Sequence, residues 1–295
     1  MKATSKTQAS TVQAVEAGGT LYVIGTPIGN LGDLSPRARD VLAKADVIAA
    51  EDTRRTRGLL SRIGVNTRVI AYHEHNEEKR VPELLEHLAS GASIALVSDA
   101  GTPLISDPGL RLVRAAHAQG FAVSSIPGPS AVMAALSVAG LATDRFVFEG
   151  FLPRRSAARS EHLRSLSAEP RTMVFFEAVH RLAETLQALV VQFGEERPAV
   201  VARELTKVHE QVASGTLGEL AARLGHDIPL LGEFVLIVAG NSANADPDEE
   251  RARSVFALLS AEIAPNKAVS LTAAITGLPR NTVYRLTRIP ATPAD

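Results

Sequence analysis

Between residues 20 and 139, short apolar runs alternate with helix-patterned stretches, and this alternation constrains the fold more than any other property of the chain. Thr20–Ile24, Val47–Ala50, Val69–Tyr72, residues 93–97 and Ala122–Ile126 read as strands. Between them, Ser35 and Pro36 open a helix through Lys44, Thr53 is placed to cap one through Ile63, and Asn76 to cap one up to Ser90, with Gly91 as its stop. A further helix reaches Gln119, and another spans 131–139 after the turn Pro127–Ser130. Strands alternating with helices at this spacing predict a parallel sheet covered on both faces.

The run Ile94–Val97 ends in a loop, 98–109, holding two Gly, two Pro, two Asp, two Ser and one Thr. A plain connection turns with one or two such residues. In an open α/β sheet a ligand sits where such loops leave the carboxyl ends of the strands. Gly101 lets backbone approach a ligand closely, and Pro103 and Pro108 stiffen the loop. Asp107 suits the N-cap of the next helix and Pro108 its first position.

Beyond 140 the rhythm changes. Candidate strands are 146–150, 172–176, 198–202, 208–213 and 233–239, with helices near 156–167, 180–192 and 216–224, which predicts a second α/β domain with a mixed sheet. Residues 241–250 form a polar, acidic linker. After it, 251–260, 265–275 and 280–287 read as short helices separated by Pro265 and by Gly277 and Pro279: either a compact appendage of helix-turn-helix character or helical padding. The expected order is thus a flexible extension 1–19, an α/β domain 20–140, a second α/β domain 141–240, a linker 241–250 and a helical appendage 251–295.

A length of 295 residues suits two domains, and 45% hydrophobic residues supply real cores. The absence of cysteine removes disulfide frameworks and thiolate sites and fits a reducing cytoplasm, where the protein is expected. Residues 1–19 lack the apolar centre of a signal peptide, and no apolar run approaches the ~20 residues of a membrane span. Net charge is −1, but unevenly spread. Residues 54–68 hold five Arg and no acid; 151–165 hold Arg154, Arg155, Arg159 and Arg164 against Glu161; from 251 six basic residues face Glu262 and Asp295. Three such clusters in a near-neutral chain point to a polyanionic substrate.

The turn Gly25–Asn30 is not a dinucleotide fingerprint, because Pro27 and Asn30 stand where its second and third glycines belong. There is no phosphate-binding P-loop and no nucleophile elbow. His73 and His75, two residues apart and without a third ligand, do not make a metal site, and none is expected.

Gly25–Asn30, the loop 99–109 and Ile126–Ala131 resemble, in order and spacing, the nucleotide-side loops of the tetrapyrrole methylase superfamily. Glu51–Arg54, Ser98–Gly109, Phe176–Arg181 and Ala202–Lys207 are similar to the ribosomal RNA small subunit methyltransferase I branch. The resemblance spans about residues 20–288. Val179 stands where that branch usually has Pro, and residues 1–19 have no counterpart. It implies two α/β domains with a cofactor cleft between them, S-adenosylmethionine as cofactor, and methylation of the ribose 2′-oxygen of a cytidine in the decoding region of 16S ribosomal RNA in the small subunit, by a homodimer. Along the cofactor it places Ile28, Gly101, Thr102, Ile105, Ser130, Ala131 and Phe176.

Such a transfer needs alignment, a dry site and a base for the hydroxyl proton. Candidates are Glu51, Asp52, His73, His75, Glu177 and Glu204. Glu51 and Asp52, at a strand end on the cleft side, are the chosen pair, with Arg54 and Arg55 beside them, and Arg154 and Arg155 elsewhere, for RNA phosphates. Lys207 and Lys267 also suit phosphate. His73–Asn76 reads as loop and cap. Two alternatives remain open: a C-methyltransferase acting on a tetrapyrrole intermediate, and a non-catalytic ribosome-binding factor.

Overall fold

The computed structural model describes residues 19–241 and 247–287; the expected extension up to residue 18, the middle of the expected linker and residues 288–295 lie outside the described residues. Two compact units emerge. The first comprises the described residues up to Ala134 together with Glu204–Glu210, and the second Ala135–Arg203 with the described residues from Gln211.

In the first unit β1 (Thr20–Ile24), β2 (Val47–Ala50), β3 (Val69–Ala71), β4 (Ile94–Val97) and β5 (Ala122–Ile126) form one sheet of order β3-β2-β4-β1-β5. Every pairing is parallel, as the alternation of strand and helix requires. Because side chains alternate between faces, each strand feeds two cores. Leu21, Val47 and Leu96 pack with Leu84, Leu88 and Leu112 of α3 (Glu77–Ala89) and α4 (Leu110–Ala118). Ile24, Ile48 and Val97 pack on the opposite face with Leu42, Leu60 and Ile63 of α1 (Pro36–Lys44) and α2 (Thr53–Ile63). The adjacent strands β4 and β1 therefore send their onward helices to opposite faces, which opens a crevice at their carboxyl ends. Gly19, expected in the flexible extension, is buried and donates its N–H to Leu88 O at 2.8 Å.

Three expected caps are corrected. Ser35 caps α1 as expected, but the cap of α2 is Asp52, whose carboxylate accepts from the Arg54 N–H at 2.7 Å, and Thr53 is already helical. Asn76 stands before α3 without capping it, because its amide turns back to the His73 N–H. Neither Asp107 nor Pro108 opens α4. Gly109 holds the cap position at φ +135°, and its N–H donates at 3.0 Å to the buried Glu77 carboxylate. A carboxylate from α3 thus does at the α4 N-terminus what a local Asp was expected to do. The same oxygen accepts the Tyr72 hydroxyl at 3.0 Å; burial, then this bond, holds that phenol above its ordinary range.

The second unit holds β6 (Phe146–Phe151), β7 (Thr172–Ala178), β8 (Pro198–Arg203), β9 (Gln211–Thr216) and β10 (Glu233–Val238), in the order β6-β7-β10-β8-β9. Only β6 and β7 run parallel, so the sheet is mixed. Helices α6 (Ser156–Ser165), α7 (Leu182–Phe193) and α8 (Leu217–Arg223) accompany it, and Phe175, Leu186, Leu220 and Leu236 belong to its core. β9 starts at Gln211, later than its apolar pattern suggests, because Glu204 and Thr206 take positive φ values of +51° and +66° in the loop before it. The C-terminal helices are α9 (Pro247–Ser260), α10 (Pro265–Thr276) and α11 (Arg280–Thr287), with Ala252, Val269 and Val283 fully buried. Pro265 starts α10 and Gly277, at φ +76°, ends it. Among the described residues no helix is long and apolar enough to cross a membrane.

Candidate active site

Three loops meet at the carboxyl edge of the first sheet, backbone against backbone. Thr26 and Gly101 exchange N–H to O bonds of 2.8 and 3.0 Å, and Gly25 donates to Ile126 O at 3.1 Å. A Cβ on Gly25 would stand 2.7 Å from the Gly128 Cα, and one on Gly128 2.5 Å from the Gly25 oxygen, so neither position accepts a side chain without parting the loops. The Thr102 hydroxyl donates to Pro129 O at 3.1 Å and ties the second loop to the third.

Gly101 is buried at φ +78°, and Leu104 and Ser106 also hold positive φ, a cost that side-chain-bearing residues rarely accept away from functional loops. A Cβ on Gly101 would point at Ile28 Cγ2, 3.3 Å away. Bare backbone therefore faces the buried Ile28 across the position a side chain would fill. Ile105 is 40% exposed, and Ser130 and Ala131 are half-buried at the start of α5 (Ala131–Ala139). In the second unit, Phe176 is half-buried on β7, its ring edge-on to Phe148 at 4.9 Å and to Phe151 at 5.6 Å.

Four carboxylates gather beside these loops in the first unit. Asp99 accepts the Asp52 N–H at 2.9 Å and pairs with Arg55 at 3.3 Å, while its own N–H makes a long 3.4 Å bond to Glu51 Oε2. Desolvation is the chief cause that raises the Glu51 carboxyl above its ordinary value. Asp107 is pushed up to about 6, chiefly by burial, with the Ser98 hydroxyl opposing and the charges of Glu51 and Asp99 adding to the rise. Its residue type suggested a cap; only the tertiary structure makes it a half-buried acid. Asp52 behaves oppositely, held low by Arg54, with which it pairs at 3.3 Å.

The other base candidates are engaged elsewhere. Glu177 is 3% exposed and takes the Thr185 hydroxyl at 2.6 Å, the Ala178 N–H at 2.8 Å and Arg181 at 3.4 Å. Glu204 pairs with Lys207 at 2.7 Å, and the Lys207 stem lies where a Cβ on Gly29 would be, 2.3 Å from Cγ. His75 is exposed. Of the expected phosphate contacts, Arg54 and Arg55 are exposed on α2, and Arg154 and Arg155 are exposed just before α6. Arg159 leaves that surface group: it is 4% exposed and pairs with Glu184 at 3.1 Å.

A doubly covered parallel sheet with glycine- and proline-rich loops at its carboxyl edge, followed in one chain by a mixed sheet, is an arrangement this chain shares with the tetrapyrrole methylases. Residues 20–221 match the family model for Tetrapyrrole (Corrin/Porphyrin) Methylases. Residues 245–287 match a model described as the RsmI C-terminal HTH domain. The chain is 51% identical over 267 residues to the Ribosomal RNA small subunit methyltransferase I of Xylella fastidiosa strain Temecula1, an alignment covering 90% of this chain and 98% of that protein. With the protein of the same name from Escherichia coli O157:H7 it shares 48% over 268 residues, 90% of this chain and 94% of the other. It belongs to the ribosomal RNA small subunit methyltransferase I family. The fold recurs in a Thermus thermophilus uroporphyrin-III C-methyltransferase solved with S-adenosyl homocysteine, at 19% identity and TM-score 0.53, covering 75% of this chain and 97% of that one.

Proposed function

We propose that this protein transfers a methyl group from S-adenosylmethionine to the ribose 2′-oxygen of a cytidine in the decoding region of 16S ribosomal RNA. The observation that carries the reading is similarity near 50% over 90% of the chain to proteins of that family, with the C-terminal helices matching their own family model. Gly101 supports cofactor binding: its buried, positive-φ backbone carries no side chain beside Ile28, so the loop can come close to a cofactor that has no phosphate to hold. Ile28, Gly101, Thr102, Ile105, Ser130, Ala131 and Phe176 would hold it. When bound, it supplies a methyl group on a positive sulfur.

The chain's own residues align the hydroxyl and take its proton. Glu51 is assigned as acceptor. It is half-buried, raised by desolvation and only loosely bonded, whereas Asp52 is committed to the α2 cap and Arg54. A carboxylate poised upward is the better base near neutral pH. Arg54, Arg55, Arg154 and Arg155 are assigned to RNA phosphates. The protein is proposed to act in the cytoplasm as a homodimer on the small ribosomal subunit. In this reading residues 20–140 and 141–240 are the two α/β domains, 241–250 the linker and 251–295 an RNA-contacting appendage. The test is the product. A 2′-O-methyl group blocks attack on the adjacent phosphate, so treated small-subunit RNA gains one alkali-resistant position, at a cytidine. A methyl on a base or on a tetrapyrrole, or no turnover at all, refutes the assignment.

A further inference from the structure

Between β8 and β9 the chain lends Glu204–Glu210 to the first unit, and Lys207 of this segment lies on the loop that carries Ile28. A Cβ on Gly29 would overlap the Lys207 Cγ and stand 2.9 Å from its Cε, so the missing side chain of Gly29 is what seats the lysine stem. Next to it, Ile28 Cγ2 stands 3.3 Å from where a Cβ on Gly101 would be. The stem of Lys207 therefore rests on the immediate neighbour of a residue assigned to the cofactor, and the reaction as assigned above leaves this cation unused.

The segment is built to hold that side chain. Leu205 is buried, the Lys207 N–H donates to Glu204 O at 3.0 Å, and the Glu210 N–H donates to Lys207 O at 3.1 Å. The Glu210 carboxylate accepts the Thr206 N–H at 2.5 Å. Positive φ at Glu204 and Thr206 adds a backbone cost of the kind that clusters at functional loops. The ammonium donates to Glu204 Oε1 at 2.7 Å, and the side chain is 26% exposed, low for a lysine. A plain surface ion pair needs neither the glycine seat nor the strained turn.

We propose that Lys207 binds the phosphate on the 3′ side of the target ribose and thereby sets the position of its 2′-hydroxyl. This rests on the reading above that the substrate is RNA. The 2′-oxygen and the 3′-phosphate sit on adjacent carbons of one ribose, so the group that holds this phosphate also fixes the hydroxyl, and alignment governs the rate of such a transfer. An ammonium has three hydrogens to give, so Glu204 orients it and a phosphate oxygen joins as a further acceptor. The methionine end of the cofactor also carries a carboxylate, but its own ammonium compensates it, whereas an RNA phosphate arrives with its charge unpaired. Lys207 gives up no proton in the reaction; it keeps the substrate in line.

The experiment uses the full chain and measures single-turnover methylation of small-subunit RNA, RNA affinity against salt, and S-adenosylmethionine affinity by calorimetry. Lys207→Gln keeps most of the stem and removes the charge. It should slow methylation about 10- to 100-fold and lower the log–log salt slope by roughly 0.7–0.9, with cofactor affinity within about twofold of wild type. Lys207→Arg keeps the charge and should keep the slope. Gly29→Ala should slow methylation because its Cβ displaces the stem, and should add nothing further in Lys207→Ala, where no stem is left to displace. Full rate or full slope in Lys207→Gln overturns the proposal. So does a loss of cofactor affinity in that variant, which assigns the ammonium to the methionine carboxylate, and so do additive effects of Gly29→Ala and Lys207→Ala. Should Lys207→Ala not fold, Lys207→Gln and Gly29→Ala decide alone. Wild-type protein that leaves the RNA unmethylated refutes the functional reading and takes this proposal with it.

Discussion

Replacing Asp107 with Asn is expected to stabilise the protein at neutral pH and to do nothing at low pH. Asp107 has its carboxyl pushed up to about 6, against an ordinary 3.8, chiefly by burial. Below pH 3.8 the side chain is neutral in both folded and unfolded chains, so Asp and Asn variants carry no electrostatic difference. As pH rises from there, the unfolded chain ionises first while the folded one keeps its proton, and the folded state falls behind. Above about 6 the folded carboxyl ionises in place and the penalty is complete. The interval between 3.8 and about 6 corresponds to at most ~3 kcal/mol at 1.36 kcal/mol per pH unit. Asp107 is only part-buried, so solvent screening reduces this to about 1 kcal/mol. For a chain of this size that is about 2–4 °C in Tm. Calorimetry of both proteins at several pH values between 4 and 8 measures it: a gap near zero at pH 4 that opens to a few degrees by pH 7. A gap of constant size, or one in favour of Asp107 at pH 7, refutes the view that this carboxyl is held in an unfavourable charge state.

Gly101→Val should leave a folded protein with S-adenosylmethionine affinity lost beyond calorimetric detection, because the branched side chain fills the cradle beside Ile28 and forces positive φ on a β-branched residue; unchanged affinity removes this loop from the site. Gly128→Ala should cost about 1–3 kcal/mol of stability, since its Cβ would meet the Gly25 carbonyl at 2.5 Å, and urea midpoints will show it. Arg54→Ala with Arg55→Ala should flatten the salt dependence of RNA binding by up to about two units of log–log slope; their pairing with Asp52 and Asp99 favours the lower part of that range, and a full wild-type slope would move the RNA path elsewhere. Ending the chain after Asn241 should keep cofactor affinity and lower RNA methylation at least tenfold, measured on small subunits; methylation at full rate would reduce the C-terminal helices to padding.

Much of the architecture follows from local pattern. The strands β1, β2 and β5, the helix Pro36–Lys44 with its Ser35 cap, and the division at Pro265 and Gly277 are set by neighbours within a few residues, through apolar period, a capping hydroxyl, a fixed proline φ and a left-handed glycine. The alternation of strand and helix then determines a parallel sheet, because a strand can rejoin its sheet in parallel only after a crossover. The likeness of the loops around Gly25, Gly101 and Pro127 to a methylase cofactor site was equally visible, because those glycines and prolines impose backbone geometry whatever surrounds them.

What the tertiary structure alone decided is which polar groups meet. Asp107 has a good capping residue's sequence context, but Glu77, 32 positions before Gly109, reaches the α4 N-terminus first. That leaves Asp107 to share the strand ends with Glu51 and Asp99. Glu177 and Glu51 are alike in sequence, each following a strand's apolar run; Thr185 and Arg181 consume the first and leave the second loosely held. Arg159 stands in an arginine-rich segment and is nevertheless buried against Glu184. Charge and protonation are set by partners within a few ångströms, and those partners come from distant parts of the chain. Local pattern carries information about the backbone, while the chemistry of a carboxylate is settled only when the folded chain chooses its company.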